Sequence, residues 1–238
     1  MSLPASSTSA ASAGEQLREL QERIHLLQGR RNREATYALL PAFSPLLPYG
    51  LRAGAVYSLE APLSVAMALL AGPSAQGHWC GVTGIPDFGT EAAAGFGISL
   101  ERTVLVPDPG ERWLVTVSAL ADVLPLLLVR PPALASAGHA SRLSSRLRER
   151  GCTLLILGPW PQAEGILSVE ASRWEGLGDG HGHLRSHRVD LAWSQRGKRR
   201  KVMVDLATLH ADPTQAGGLT QPGGVTQPGG AGLLGARP

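Results

Sequence analysis

Residues able to do chemistry gather in three places. His181, His183 and His187 fall within the run DGHGHLRSHR, beside Asp179. Imidazoles at that spacing are potential metal ligands, but the run holds no thiol and its glycines mark a loop. A solvated loop is the competing reading, and no metal is expected. A little further on, Arg196, Lys198, Arg199, Arg200 and Lys201 form the densest basic run of the chain. Such a run either contacts the phosphates of DNA or decorates a hairpin whose edge is kept soluble by charge. No aromatic residue interleaves with it, so no base-stacking platform is indicated. Arg142, Arg146 and Arg150 recur every four residues, which places them on one helix face toward solvent, an acidic partner or DNA. Cys80 and Cys152 stand far apart in apolar stretches, where cysteine behaves as a small hydrophobe. Neither a disulfide framework nor a zinc cluster follows from two cysteines. A G-x-S-x-G nucleophile elbow is absent.

The elements that must position these residues can be read from composition and periodicity. Hydrophobic residues make up 43% of the 238, enough to fill a core, so the chain as a whole is not disordered. The net charge of +3 is modest, and only two of the 22 basic residues are lysine. With abundant Ala, Gly and Pro, that arginine bias reports a GC-rich genome more than a phosphate-binding design. No apolar run is long enough to span a bilayer, and the small, polar N-terminus lacks a secretory pattern. The expectation is a cytoplasmic protein.

Four regions follow. Residues 1–13 are Ser/Ala-rich and are expected to be disordered. Region 14–49 holds a helix, Glu15–Leu40, with an apolar seam at Leu17, Leu20, Ile24 and Leu27, followed by a linker stiffened by Pro41, Pro45 and Pro48. The seam is too short to form a stable coiled coil by itself, so it packs either on its own domain or on another protein. In region 50–207 strands and helices alternate. Strands are predicted at Ala55–Leu59, His78–Val82, Thr103–Val106, Leu126–Val129 and Cys152–Leu157. Helices are predicted at Ala61–Leu70, Glu91–Phe96, Trp113–Val123 and Ser136–Arg150. This order implies an α/β fold with a mostly parallel sheet. Ile166–Trp174, Val189–Trp193 and Lys201–Leu206 alternate as antiparallel strands do, predicting a C-terminal hairpin. Trp160, set between two prolines, suits an exposed loop, whereas the other tryptophans suit the core. Region 208–238 repeats TQAGGL, TQPGGV and TQPGGA. It is too rich in Gly and Pro to bury a core.

The linear order of these segments resembles the core of RecA-type recombinases. Gly50 to Glu60 (GLRAGAVYSLE) has the form of the strand that leads into that family's phosphate-binding loop. Gly77 to Val82, Leu126 to Val129, Thr153 to Leu157 and Arg188 to Leu191 are similar to its later strands. The family's chemistry is missing. Its loop, G-x-x-x-x-G-K-[ST], needs glycines for close approach to phosphate, a lysine and a magnesium-binding hydroxyl. Here the corresponding residues are Glu60, Ala61, Pro62, Leu63 and Ser64. They include neither glycine nor lysine, and Pro62 removes a backbone donor. Arg130 stands where the magnesium-binding aspartate would end its strand, and only Asp87 lies near the position of a water-activating glutamate.

A RecA-like core without its nucleotide site, with a leading helix and a ragged tail, is similar to the ImuA-type accessory proteins, in the actinobacterial version. That resemblance implies a non-catalytic role in damage-induced translesion synthesis. The implied partner is an ImuB-type Y-family polymerase relative, in support of an error-prone DnaE-type polymerase. It implies no cofactor, no metal and no small-molecule substrate. Leu17, Leu20, Ile24 and Leu27 would face the protein partner, and the basic run would be the place for any DNA contact. The second expectation is an SOS cell-division inhibitor of the SulA type, a shorter group without such a leading helix and tail. The third is a DNA-binding RecA paralogue with residual nucleotide binding.

Overall fold

The computed structural model describes residues 36–176 and 185–209. Among these residues ten strands form: β1 (Thr36–Tyr37), β2 (Leu51–Arg52), β3 (Val56–Glu60), β4 (Cys80–Thr83), β5 (Thr103–Val106), β6 (Leu126–Val129), β7 (Thr153–Leu157), β8 (Gly165–Glu175), β9 (Ser186–Gln195) and β10 (Lys198–Asp205). The α-helices are α1 (Leu63–Ala75), α2 (Thr90–Gly95), α3 (Trp113–Val123) and α4 (Ala137–Arg150). Strands β3 to β10 make one sheet in the order β10-β9-β8-β3-β7-β6-β4-β5. From β8 across to β5 every pairing is parallel. The run β8-β9-β10 is antiparallel. The fold is therefore α/β with a mostly parallel sheet flanked by helices and an antiparallel hairpin at its C-terminal side.

Strand β6 explains the layering. Leu126, Leu127, Leu128 and Val129 are all buried between β4 and β7. A parallel strand with no polar side must be covered on both faces. Leu126 and Leu128 pack toward α1, α2 and the arm that carries Phe43, Leu46 and Leu51. Leu127 and Val129 pack toward α3 and α4. Helix α1 is buried from Val65 to Ser74, as expected of a helix that is apolar all round. It continues beyond Leu70, where the sequence predicts its end, and passes through Pro73. Tertiary burial of that last turn outweighs the helix-breaking propensity of Ala-Gly-Pro. Helix α4 keeps to its local signals. Its Ser136 hydroxyl accepts from the His139 N–H at 3.3 Å, and Gly151 closes it in the left-handed region at φ 68°.

Three expectations change. The helix predicted to reach Leu40 does not do so, because Thr36 and Tyr37 pair with Arg52 and Leu51. Both are good strand formers, and Pro41 disfavours helix just before it. The proline-rich stretch packs onto the core, burying Phe43, Leu46 and Leu47. Trp160 is buried against Trp113, with ring centroids 6.3 Å apart, while Trp79 and Trp174 are the exposed tryptophans. Among the described residues no helix is long and apolar enough to cross a membrane.

The arm crosses α1 where Gly72 has no side chain. A Cβ there would lie 2.7 Å from the Ala38 carbonyl oxygen and 2.8 Å from the Leu39 Cα. Neither backbone atom can swing aside. Gly72→Ala is expected to lower the unfolding free energy by about 1–3 kcal/mol, in spite of alanine's better helix propensity. Urea denaturation checks it, and a midpoint at or above that of the parent would refute the close crossing.

Candidate functional site

A sheet covered on both faces leaves its two ends for chemistry, and in open α/β folds ligands sit beyond the carboxyl ends of the strands. There the turn Ala61-Pro62 leads from β3 into α1. Pro62 is the N-cap of α1 and offers no side-chain cap. Glu60 stands exposed at the end of β3, a negative charge where an anion would need none. Arg130 follows β6 and donates from its guanidinium to Asp87 at 2.5 Å. Its backbone N–H also bonds the Thr83 carbonyl at 3.0 Å. Gly84 lies so close that a Cβ would meet the Arg130 carbonyl oxygen at 2.1 Å. The arginine hydrogen bond holds the Asp87 carboxyl below its usual range, so Asp87 is a fixed counter-ion and a poor general base. Beside β3, the Ser58 hydroxyl donates to the Gly158 carbonyl at 2.6 Å. Self-contained contacts of this kind close the edge.

A cleft of about 380 Å³ opens beside the first turn of α1. Leu63, Met67, Ala92 and Phe96 form its apolar wall, Ser64 and Asp87 lie at its rim, and Trp174 and His187 form the far side. The Trp174 and His187 rings stack with centroids 3.4 Å apart and planes 14° from parallel. His187 shares a 3.0 Å hydrogen bond with Ser172. Burial pushes the His187 imidazole below its usual value, with nearby Asp205 acting the other way. Among the described residues no lysine or arginine lines the cleft. Its apolar wall suits an apolar or aromatic side chain.

At the opposite, amino-terminal edge lies a second cleft of about 500 Å³. The β9–β10 tip meets Arg52 and the loop carrying Tyr49 there. Glu164 organises it by accepting from Arg52 at 2.6 Å, from Gln195 at 2.9 Å and from Arg196 at 3.3 Å. Tyr57 and Trp193 make the floor, their rings 5.4 Å apart. The Tyr57 oxygen accepts from the Arg52 N–H at 2.8 Å, and burial pushes its hydroxyl up to about 12. Gly165 makes room for Trp193, since a Cβ would meet the indole at 2.3 Å.

The basic run is divided by the strand's alternation. Arg196, Lys198 and Arg200 line the amino-edge cleft, and Arg200 donates to the Leu46 carbonyl at 3.1 Å. Arg199 and Lys201 are tied to Glu170 at 2.5 and 2.7 Å. Of the arginine stripe on α4, Arg146 and Arg150 are drawn to Asp122 on α3. His187 is a strand residue, not part of a loop. It is buried because Trp174 and the chain after β10 pack around it. His181 and His183 lie outside the described residues, as do Leu17, Leu20, Ile24 and Leu27. No three potential metal ligands converge among the described residues. Cys80 is buried, which pushes its thiol up to about 12 and makes it unreactive. Sequence reasoning missed Arg52, Glu164, Tyr49 and Trp174 as site residues. Only Tyr49, between Pro48 and Gly50 in a turn, carries a local signal.

Residues 45–162 match the family model described as the MT3502 N-terminal domain. The matched stretch runs from the loop before Tyr49 through β7 and ends before β8. No curated protein matches the chain.

Asp205 holds the chain beside the carboxyl-edge cleft. It accepts from the Ser186 hydroxyl at 2.7 Å, the His187 N–H at 2.9 Å and the Ala207 N–H at 3.1 Å. Burial alone would raise this carboxyl, but the three donors, together with the charge of Arg188, outweigh it and hold it below the ordinary range. A depressed carboxylate contributes stability fully above the unfolded value of about 3.9. That contribution is lost as pH falls through the lower folded value. Thermal unfolding followed from pH 6 down to pH 2.5 should therefore steepen below pH 4 in the parent and less so in Asp205→Asn. Identical acid slopes would refute the role of these bonds.

Proposed function

We propose that this chain is a RecA-like accessory protein of the ImuA type. It acts without catalysis, by holding an ImuB-type polymerase relative during damage-induced translesion synthesis. The observation that carries the reading is the carboxyl edge. A strand–turn–helix unit, β3 to α1, supports it, because that unit carries the phosphate loop in nucleotide-binding relatives. At this position the chain has Glu60, Pro62 and Leu63 in place of glycines and lysine. The strand end that would bear a metal-binding aspartate bears Arg130, and Arg130 is bonded to Asp87. A cation at that point repels magnesium, and a paired carboxylate activates no water. The cleft alongside has an apolar wall, and among the described residues no lysine or arginine lines it. Each change removes one requirement of phosphoryl transfer, and together they favour a scaffold that binds proteins.

In this reading the seam Leu17, Leu20, Ile24 and Leu27 supplies the partner contact. Burying it fully would contribute roughly 1.5–3 kcal/mol per side chain. Substituting Leu20 and Ile24 with Asp in the full chain should abolish co-purification with the co-expressed ImuB-type protein while the thermal midpoint stays unchanged. Undiminished capture would remove the seam from the interface. Calorimetry of the parent with ATP and magnesium should show no heat at millimolar nucleotide, and micromolar binding would overturn the non-catalytic reading.

A further inference from the structure

We propose that the amino-edge cleft binds single-stranded nucleic acid, taking phosphates on Lys198, Arg200 and Arg196 and stacking one base on Tyr49. This inference goes beyond the accessory reading and does not rest on it, since it concerns the other end of the sheet. Three independent features point there. The first is charge. Arg52 and the β9–β10 hairpin residues Arg196, Lys198 and Arg200 line one cleft together with a single carboxylate, Glu164. Lys198 has no ion-pair partner among the described residues, and Arg200 spends one N–H on the Leu46 carbonyl. Positive charge in excess therefore faces the cleft. Strand alternation sends Arg199 and Lys201 away to Glu170.

The second feature is Tyr49, 83% exposed. Its loop is rigid, because Leu46 and Leu47 on one side are buried and Gly50 on the other presses against Tyr37. A Cβ on Gly50 would meet the Tyr37 carbonyl oxygen at 2.1 Å, and the Gly50 N–H bonds the Leu47 carbonyl at 3.0 Å. A large aromatic ring is thus held in water beside a row of cations, the combination that single-strand binders use. Trp193 is sealed beneath and serves only as floor.

The third feature is the hairpin tip. Arg196 and Gly197 both have positive φ, 48° and 75°, as a two-residue I′ turn requires. Asparagine or glycine suits the first position, and arginine there is strained. The strain sets a guanidinium at the mouth of the cleft, where it reaches Glu164 at 3.3 Å.

The test uses the full chain and a fluorescein-labelled dT12 oligonucleotide, with anisotropy read from low to physiological salt. Three phosphate contacts give a slope of about −2 in log K against log salt for a single strand. Lys198→Gln/Arg200→Gln should weaken binding by about tenfold or more, and Arg199→Gln/Lys201→Gln, with the same loss of charge, by less than about threefold. Should the first pair unfold, Lys198→Gln alone carries the test, because its side chain is exposed and unpaired. Tyr49→Ala should cost about tenfold through lost stacking. Arg196→Asn should weaken binding while raising the thermal midpoint, the mark of a residue kept for binding at a cost in turn stability. Equal losses from the two double variants would overturn the proposal. So would no binding at 50 mM salt, or displacement of the oligonucleotide by a poly-glutamate peptide as readily as by unlabelled dT12. None of these outcomes bears on the Leu20 and Ile24 contact.

Discussion

Burial of β6 on both faces is the constraint from which the architecture follows. Leu126 to Val129 bond on each side to a parallel neighbour and present no polar side chain to either face. Parallel neighbours require crossovers, and crossovers carry the helices that cover the sheet. Helix α1 and the arm seal one face, and α3 and α4 the other. With both faces of the sheet spent on packing, the strands themselves offer polar groups only at their two ends. The carboxyl-edge and amino-edge clefts lie there, one at each end.

The ends have diverged in character. At the carboxyl end Arg130 is paired with Asp87, and Asp205 is held by backbone and hydroxyl donors. Apolar wall residues and the Trp174–His187 stack fill the space that remains. At the amino end one carboxylate, Glu164, serves two arginines and leaves others over. Exposed ion pairs contribute little to stability, so this difference has little bearing on whether the chain folds. It decides which ligands each end tolerates.

Much of the architecture is legible from the chain alone because its signals are local. The strands Thr103–Val106 and Leu126–Val129 and helix α3 are bounded by Pro, Arg or a change of period, and their predicted limits coincide with the observed ones. Ser136 and Gly151 mark α4 through capping chemistry. The sites are less legible, because they are assembled from contacts distant in sequence. Nothing near Glu164 announces that Arg52 and Arg196 converge on it. His187 reads as a loop histidine until Trp174 is laid against it. The basic run reads as one patch, and only the registry of β10 divides it into a cleft-facing set and a set tied to Glu170. Helix α1 passes Pro73 because its surroundings bury that turn, which no local propensity expresses.

The division of β10 bears on what the amino edge of the sheet is built to meet. A strand at a sheet edge exposes unpaired backbone groups and needs charge to stay unpaired. Any even spread of Lys and Arg would meet that need. Here the spread is uneven. Glu170 ties down both outward cations and offsets one of their two charges, while the inward cations outnumber their one carboxylate, Glu164, by more, beside an exposed tyrosine. A strained arginine at the tip adds a cost in stability that edge protection does not explain. Solubility alone would have favoured the reverse arrangement, with the outward cations free and asparagine at the turn. The uneven distribution of charge therefore argues for a ligand at the amino edge, above a floor that Gly165 lets Trp193 fill.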